Sequence, residues 1–283
     1  MKSVEVRKFG HVPWMILATV AFSIMSLLVK RLSGALNGLE IVFYRSLSHL
    51  IILLPLLFLT RTNPLRDISP ALLLRSLFGF LGVAFYFSSL GRMEAGVASL
   101  IQWTAPAFTF LYAILILGEK VPGRSLLLLM TAFLGLGLAT VHPSGIWGVT
   151  PLAAALGFCG ALFAGVSYGL LKSIARKANP ETLAVWMSVV SLVGALLGTG
   201  GNIRFLEPSA LLCAVGIGLM VSLYQFSVTK AYQNAPAVRV APLSLAPGIM
   251  VLLFDSLLHH TIPEAQLIVG STITVASLAF LVG

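Results

Sequence analysis

The sequence predicts an all-α integral membrane protein with ten transmembrane helices, arranged as two five-helix repeats of inverted topology. Of its 283 residues, 58% are apolar and 10% are charged, and the mean hydropathy is +0.99. This composition excludes an ordinary soluble globular surface. The charges cluster between apolar stretches of about 20 residues, the length of a helix that crosses ~30 Å of hydrocarbon. The chain also repeats its own pattern at a spacing of 141 residues.

Ten apolar stretches account for the chain and leave no room for a soluble domain. A signal peptide is the alternative for the first stretch, but no small-residue cleavage site follows it. We therefore predict that it is the first transmembrane helix. The predicted spans, with ends defined to within a few residues, are 12–31, 38–60, 69–90, 95–117, 123–141, 151–172, 182–199, 207–229, 235–258 and 263–282.

The distribution of basic residues predicts the orientation in the membrane. With the N-terminus inside, eleven loop or terminal Lys and Arg residues lie in the cytoplasm and four lie outside. We therefore expect both termini in the cytoplasm, and the bacterial inner membrane as the location. The net charge of +9 is explained by this bias rather than by nucleic-acid binding.

The internal repeat aligns one half of the chain with the other. A shift of 141 residues superimposes Pro106 on Pro247 and Glu40 on Glu181. Each half holds five helices, an odd number, so the second half must enter the membrane inverted. Three of four equivalent loop pairs carry more basic residues on the inside copy, as inversion requires. We predict repeats at 1–145 and 146–283, joined by the Pro/Gly-rich loop 142–148.

Several short motifs accompany these two halves. An arginine lies early in the second helix, in Phe43-Tyr44-Arg45-Ser46, a proline lies inside helices four and nine, and Leu117-Gly118-Glu119 ends helix four. In this combination the sequence resembles the EamA-type transporters of the drug/metabolite transporter superfamily along essentially its whole length. The resemblance implies a central cavity lined largely by helices 1, 3, 4, 6, 8 and 9, with alternating access to the two sides. Substrates across that family range over amino acids, sugars, nucleotide derivatives and drugs.

The prolines within helices four and nine predict where those helices are interrupted. Pro106 frees the carbonyl of Gln102. In helix nine, Pro247 frees that of Leu243 and Pro242 frees that of Val238. Interrupted helices form midplane substrate sites in inverted-repeat transporters. The alternative is that the prolines only kink the helices for packing.

Polar and aromatic side chains recur near these breaks at helical spacing. The predicted binding residues are Gln102, Trp103 and Pro106 of helix four, Tyr86 of helix three, Ser222 and Gln225 of helix eight, and Ser244 and Pro247 of helix nine. For the glycines on the same stripes, close packing between helices is the alternative explanation.

Charged residues within the spans complete the candidate site. Arg45 and His49 lie four residues apart on one face of helix two, and Arg239 lies early in helix nine. Arg75 has a similar position in helix three. Snorkelling to the headgroups is the alternative for all three arginines. Glu119 is interpreted as a helix-end residue that supports the positive end of helix five.

The acidic residues all lie near predicted helix ends, and residues 12–29 contain none. A proton-coupled exporter of cationic drugs of the small multidrug type needs a carboxylate in its first helix, so that mechanism is disfavoured. The excess of basic groups instead favours a substrate with a carboxylate. We predict a secondary transporter of an amino-acid-like or other carboxylate-bearing metabolite, with efflux as the direction. The alternatives are a non-transporting lipid-handling or receptor-like protein of the same fold, and efflux of amphiphilic drugs.

The sequence offers little support for an enzyme. Gly165-Val166-Ser167-Tyr168-Gly169 matches the G-x-S-x-G pattern, but that motif needs a strand, a turn and a helix, whereas these residues lie inside a span. We predict no enzymatic activity, no cofactor, no metal site and no nucleic-acid partner. The expected partners are the lipid bilayer and a small-molecule substrate, and the protein is expected as a monomer or a homodimer.

Overall fold

The computed structural model describes residues 10–65, 68–90, 92, 101–120, 122–140, 150–247, 249–250 and 265–282. The loop 142–148 and the acidic residues Glu94, Asp255 and Glu264 lie outside the described residues. In the described part every regular element is helical. The helices are α1 (Val12–Leu32), α2 (Gly38–Thr60), α3 (Pro70–Leu90), α4 (Ala105–Leu115), α5 (Gly123–Thr140), α6 (Pro151–Ile174), α7 (Pro180–Gly198), α8 (Pro208–Asn234), α9 (Ala237–Val240) and α10 (Ala265–Val282).

Six of these helices, namely α1, α2, α3, α6, α7 and α8, are long and apolar enough to cross a membrane. Shorter apolar helices occupy Ala105–Leu115, Gly123–Gly135 and Ile268–Phe280. Large apolar side chains such as Phe58 and Leu197 face outward, whereas Arg75 and His49 are buried. Apolar groups outside and polar groups inside are the arrangement that a lipid solvent favours.

The helices pack in a regular set of pairs. The closest are α3 with α6, α1 with α8, α5 with α10, and α2 with α7; α2 also contacts α8, and α3 contacts α7. Small residues allow close approach: a Cβ on Gly82 would lie 2.9 Å from the backbone nitrogen of Ala164, and one on Gly160 would lie 2.9 Å from that of Tyr86. Side chains at these positions would force α3 and α6 apart.

The directions of the helices follow from contacts at their ends. Leu39 packs on Gly198, and His49 contacts Ser188, so α2 and α7 are antiparallel. Helix α8 runs antiparallel to α1, because Trp14 packs edge-to-face on Phe226 while Leu28 lies against Gly216.

Helices four and nine are both interrupted near their prolines. Residues 101 and 102 are helical, a turn follows, and α4 starts at Ala105 with Pro106 in its first turn. The proline therefore sits where a missing N–H costs no helical hydrogen bond. In helix nine, α9 gives way to a 3₁₀ segment at Ala241–Leu245, which contains Pro242. The second half of predicted helix nine, 251–258, lies outside the described residues.

Candidate substrate-binding cavity

A central cavity of about 820 Å³ opens between the helices. It extends from Arg75 in the interior to Asn37 and Asn202 in the loops before α2 and after α7. Its walls come from α1, α2, α3, α6, α7 and α8 together with residues 102 and 103. The resemblance implied a lining by helices 1, 3, 4, 6, 8 and 9. The structure adds α2 and α7 to this lining, and none of the described residues of helix nine belongs to it.

Arg75 lies at the inner end of the cavity and is held by its neighbours. Its guanidinium donates to the side-chain oxygen of Gln225 at 3.0 Å and to the carbonyl of Leu183 at 3.4 Å. The backbone carbonyl of Arg75 accepts a hydrogen bond of 2.8 Å from Ser167 Oγ. The side chain is 2% exposed, so Arg75 does not snorkel to the headgroups.

Arg45 also lines the cavity and is 6% exposed. Within the described part of the chain, its guanidinium has no hydrogen-bond acceptor and no ion-pair partner. The aromatic residues Tyr168 and Tyr224 lie within its electrostatic reach. A buried cation without an anion is costly in a membrane interior. Arg45 is therefore a ready contact for an anionic group that enters the cavity.

The described carboxylates all lie away from the cavity wall. Glu40 forms an ion pair with Arg204, whose Nη2 lies 2.7 Å from Glu40 Oε2, and this contact raises the pKa of the exposed Arg204 guanidinium. Glu119 binds backbone N–H groups instead. Glu181 and Glu207 lie at the starts of α7 and α8. Among the described lining residues the charge is therefore positive only.

Five of the eleven predicted site residues line the cavity: Arg45, Tyr86, Gln102, Trp103 and Gln225. The other six lie elsewhere. Pro106 is buried in α4, and the carbonyl of Pro247 accepts a hydrogen bond from Ser23. Ser222 Oγ donates to the carbonyl of Gly218, and Ser244 Oγ donates to that of Ala241. His49 Nδ1 lies 2.7 Å from Ser188 Oγ, and Arg239 is exposed near the end of α9.

Sequence reasoning missed several lining residues. Tyr168, Tyr224 and Met187 face the cavity, although their size and partial apolarity are equally suited to packing. Ser167, considered above as a nucleophile, lies within α6 and bonds the backbone of α3. For the face of α3 the sequence did carry a signal. Arg75, Gly79 and Tyr86 recur at helical spacing, and all three line the cavity.

The end of the cavity opposite Asn37 is closed by tyrosines. The hydroxyls of Tyr168 and Tyr224 are hydrogen-bonded to each other, and Tyr168 stacks on Tyr232 with ring centroids 6.1 Å apart. Below them, Lys172 Nζ donates to the carbonyl of Tyr232 at 2.9 Å and to that of Ala235. These contacts join α6 to the end of α8.

Glu119 completes this closed end. Its two carboxylate oxygens accept from the backbone nitrogens of Ala237 and Val238, both at 2.9 Å. These are unpaired N–H groups at the start of α9. Gly118, the residue before Glu119, adopts a positive φ of 64°, a backbone conformation that favours glycine. The predicted support of helix five by Glu119 is therefore replaced by a cap on α9.

The geometry defines a class: a helical membrane protein whose polar central cavity is accessible from one end and closed at the other. Comparison with known proteins identifies it further, because the EamA-like transporter family model matches residues 10–141 and again 151–283. The chain belongs to the EamA-like transporter family. This family consists of transporters, in agreement with the prediction that the protein is not an enzyme.

Characterised and uncharacterised relatives match nearly the whole chain. It is 28% identical to the pseudopaline exporter of Pseudomonas aeruginosa, over 93% of this chain and 92% of that one. It is 26% identical to an uncharacterized transporter of Helicobacter pylori, over 95% and 93%. The S-adenosylmethionine uptake transporter of Rickettsia felis is 22% identical, over 95% and 91%. A crystal structure with 17% identity aligns with a TM-score of 0.83 over 95% of both chains, which shows a shared fold.

Proposed function

We propose that this protein is a secondary transporter that exports a small, carboxylate-bearing organic metabolite through the central cavity. The observation that carries the proposal is Arg45, a buried guanidinium on the cavity wall that has no partner among the described residues. A substrate carboxylate supplies the missing charge and a planar pair of acceptors. Amino-acid-like compounds belong to this substrate class.

The charge of the wall supports an anion over a cationic drug. Arg45 and Arg75 contribute two positive charges deep in the cavity, Arg92 contributes a third at the mouth, and the described lining contains no carboxylate. A cationic substrate would enter a low-dielectric site beside like charges, which is unfavourable. Trp103 and Tyr86 offer aromatic surface to the rest of the substrate.

We further propose that the ten helices form two inverted repeats, 1–145 and 146–283, which rock to expose the cavity to alternate sides. The helix pairing supports this, because exchanging the two halves turns the α1–α8 pair into the α6–α3 pair and leaves α2–α7 and α5–α10 unchanged. The helix directions also support inversion. Helix α6 is parallel to α8, because Tyr168 contacts Tyr224 and Lys172 contacts Tyr232. Since α8 is antiparallel to α1, α6 and its repeat mate α1 run in opposite directions. The two separate family matches fall on the same halves.

The charge distribution and one relative support the proposed direction and location. The excess of basic loops supports cytoplasmic termini in a bacterial inner membrane. In that orientation the open end of the cavity faces outward and the tyrosines close the cytoplasmic end. Export is the activity in the name of the relative at 28% identity, whereas uptake is the activity in the name of the relatives at 22%.

Counterflow in proteoliposomes tests the proposal. Purified protein is reconstituted, and exchange of radiolabelled amino acids, monocarboxylates and amines is measured. We expect exchange of carboxylates, a loss of at least ten-fold in Arg45→Gln, and partial retention in Arg45→Lys. Arg239→Gln is the matched control, because Arg239 is exposed and lies off the cavity wall. Unchanged carboxylate exchange in Arg45→Gln, or exchange of amines only, would overturn the proposal.

A further inference from the structure

The central cavity is divided into two chemically different zones along its length. The inner zone is polar and contains Arg45, Arg75, Ser167 and Gln225. The outer zone has an apolar wall from one cluster of the protein core, namely Met25, Val29, Leu36, Ile41 and Phe87, with Val83 packed against them. Polar residues such as Ser26, Ser88 and Thr199 line the rest of this zone. A ligand that fills the cavity therefore meets a cation at one end and apolar surface along its body.

The hydrogen bonds of the arginines on the wall indicate where an anionic group can bind. Arg75 donates through its two terminal nitrogens to Leu183 and Gln225, while its buried Nε has no hydrogen-bond partner among the described residues. Arg45 has no such acceptor in the described part of the chain, although it is buried. The third arginine of the wall, Arg92, lies in the mouth and donates to the carbonyl of Ser88. Arg45 is thus the deep cation on the wall whose guanidinium has no acceptor at all among the described residues.

The volume of the cavity favours a ligand larger than the smallest carboxylates. It is about 820 Å³, within the range of roughly 300–1,000 Å³ that pockets for drug-sized ligands have. Along α3, the wall from Arg75 to Phe87 spans about 18 Å at ~1.5 Å per residue. A two-carbon acid at Arg45 would leave the apolar wall in contact with water, and the gain from burying that wall would be lost.

We propose that the substrate is an amphipathic monoanion, with its single anionic group at Arg45 and a bulky apolar body against the outer wall. This inference rests on the proposed function and adds to it the charge number, the size and the orientation of the substrate. The anionic group enters first and lies deep, and the apolar body points toward the mouth at Asn37.

A homologous series of ligands tests the proposal by calorimetry. The protein is placed in lipid nanodiscs and titrated with acetate, butyrate, hexanoate and 3-phenylpropionate, with protein-free nanodiscs as the blank. Each added methylene that is buried raises affinity about four-fold, so hexanoate should bind at least fifty-fold more tightly than acetate. Hexylamine and hexanol, which have the same body without the anion, should bind at least ten-fold more weakly than hexanoate.

One further ligand and one variant test the anionic group and the apolar part of the substrate separately. Hexanesulfonate distinguishes a general monoanion site, where it binds like hexanoate, from a carboxylate site, where it binds more weakly; both agree with the proposal. Val83→Phe narrows the apolar zone and should weaken 3-phenylpropionate at least five-fold with little effect on acetate. Leu77→Phe is the matched control on the same helix, because Leu77 is 42% exposed on the outer surface.

The outcomes distinguish this inference from the proposed function. Equal affinities for acetate and hexanoate, or equal weakening of both by Val83→Phe, would overturn the amphipathic substrate while leaving carboxylate transport intact. Binding of hexylamine or hexanol as tight as that of hexanoate would overturn the anionic head group, and with it the proposed function. Tighter binding of dicarboxylates such as succinate than of butyrate would overturn the single charge.

Discussion

The carboxylate of Glu119 caps α9 by accepting from the backbone N–H groups of Ala237 and Val238, each at 2.9 Å. Two parts of the chain that are more than a hundred residues apart are joined at the closed end of the cavity. The contact satisfies two N–H groups that have no helical partner, and it sets a negative charge against the positive end of the helix.

Removing this cap should destabilise the closed end. We expect Glu119→Ala to lower the free energy of unfolding by about 1 kcal/mol, the usual cost of losing a helix cap. Glu119→Gln keeps one acceptor and should lose less. Thermal unfolding of the purified protein measures the order wild type, Gln, Ala. Equal melting temperatures for all three would show that the cap does not contribute.

Lys172 is expected to keep the closed end shut. Lys172→Met removes the donor to the carbonyls of Tyr232 and Ala235 while keeping an apolar stem of similar shape. A cysteine at Val228, which is buried beside Tyr168 and Tyr232, should then react faster with maleimide.

The measurement uses a background in which Cys159 and Cys213 are replaced by alanine, since both are free thiols. Lys230→Met is the control, because Lys230 lies near the same end of α8 but over the ring of Phe226, and it does not bind the carbonyls of Tyr232 and Ala235. No increase in labelling in Lys172→Met would contradict a role in closure.

Replacing the side-chain amide of Gln225 by a carboxylate should block anion binding in the cavity without unfolding the protein. Gln225→Glu places a carboxylate where the amide oxygen accepts from Arg75 at 3.0 Å, so the ion pair should preserve stability. The added negative charge should reduce carboxylate exchange at least ten-fold. Gln225→Leu instead leaves the Arg75 guanidinium short of an acceptor and should cost about 1–3 kcal/mol. Normal exchange by Gln225→Glu would contradict the assignment of the cavity as an anion site.

Close packing of α3 on α6 predicts intolerance of a side chain at Gly82. A Cβ there would lie 2.9 Å from Ala164 N, a backbone atom that cannot rotate away. Gly82→Ala should therefore lower the melting temperature, whereas Gly123→Ala should not, since a Cβ at Gly123 meets no atom within 4 Å. Comparable melting temperatures would show that the helices separate at little cost.

His11 predicts a loss of stability in acid. It lies just before α1, and burial, followed by the positive charge of Arg239, holds the pKa of His11 below its ordinary value of 6.5. The folded state therefore binds this proton less readily than the unfolded state, so its contribution is present above pH ~6.5 and falls as the pH drops below that value. Melting temperatures at pH 7.5 and 5.5 should differ less in His11→Gln than in the wild type. Equal differences would contradict this.

Much of the fold follows from local physics that a sequence displays directly. The lengths of the apolar stretches predicted α1, α2 and α3, and the prolines predicted that helices four and nine are interrupted. Arg45 and Gln102 were found because polar groups inside a span need a polar environment. Tyr168 and Met187 were not, because their positions depend on which faces of α6 and α7 meet, a property of tertiary packing.

The partner of Glu119 illustrates the same limit. A carboxylate at the end of one helix is expected to support the next helix in the chain, which here is α5. The positive φ of Gly118 and the break between α8 and α9 bring a different helix start within reach. Such a pairing is set by the approach of the two halves and has no signature in either segment alone.

The link between Glu40 and Arg204 has a consequence for the shape of the mouth. Arg204 donates to both carboxylate oxygens of Glu40. The hydroxyl of Tyr44 donates to the carbonyl of Arg204 at 2.5 Å, and Glu40 also accepts from the backbone N–H of Asn37. The loops before α2 and after α7 are therefore joined into one rim. The end of α3 belongs to the same side of the mouth, since a Cβ on Gly38 at the start of α2 would lie 2.7 Å from Phe87 Cβ.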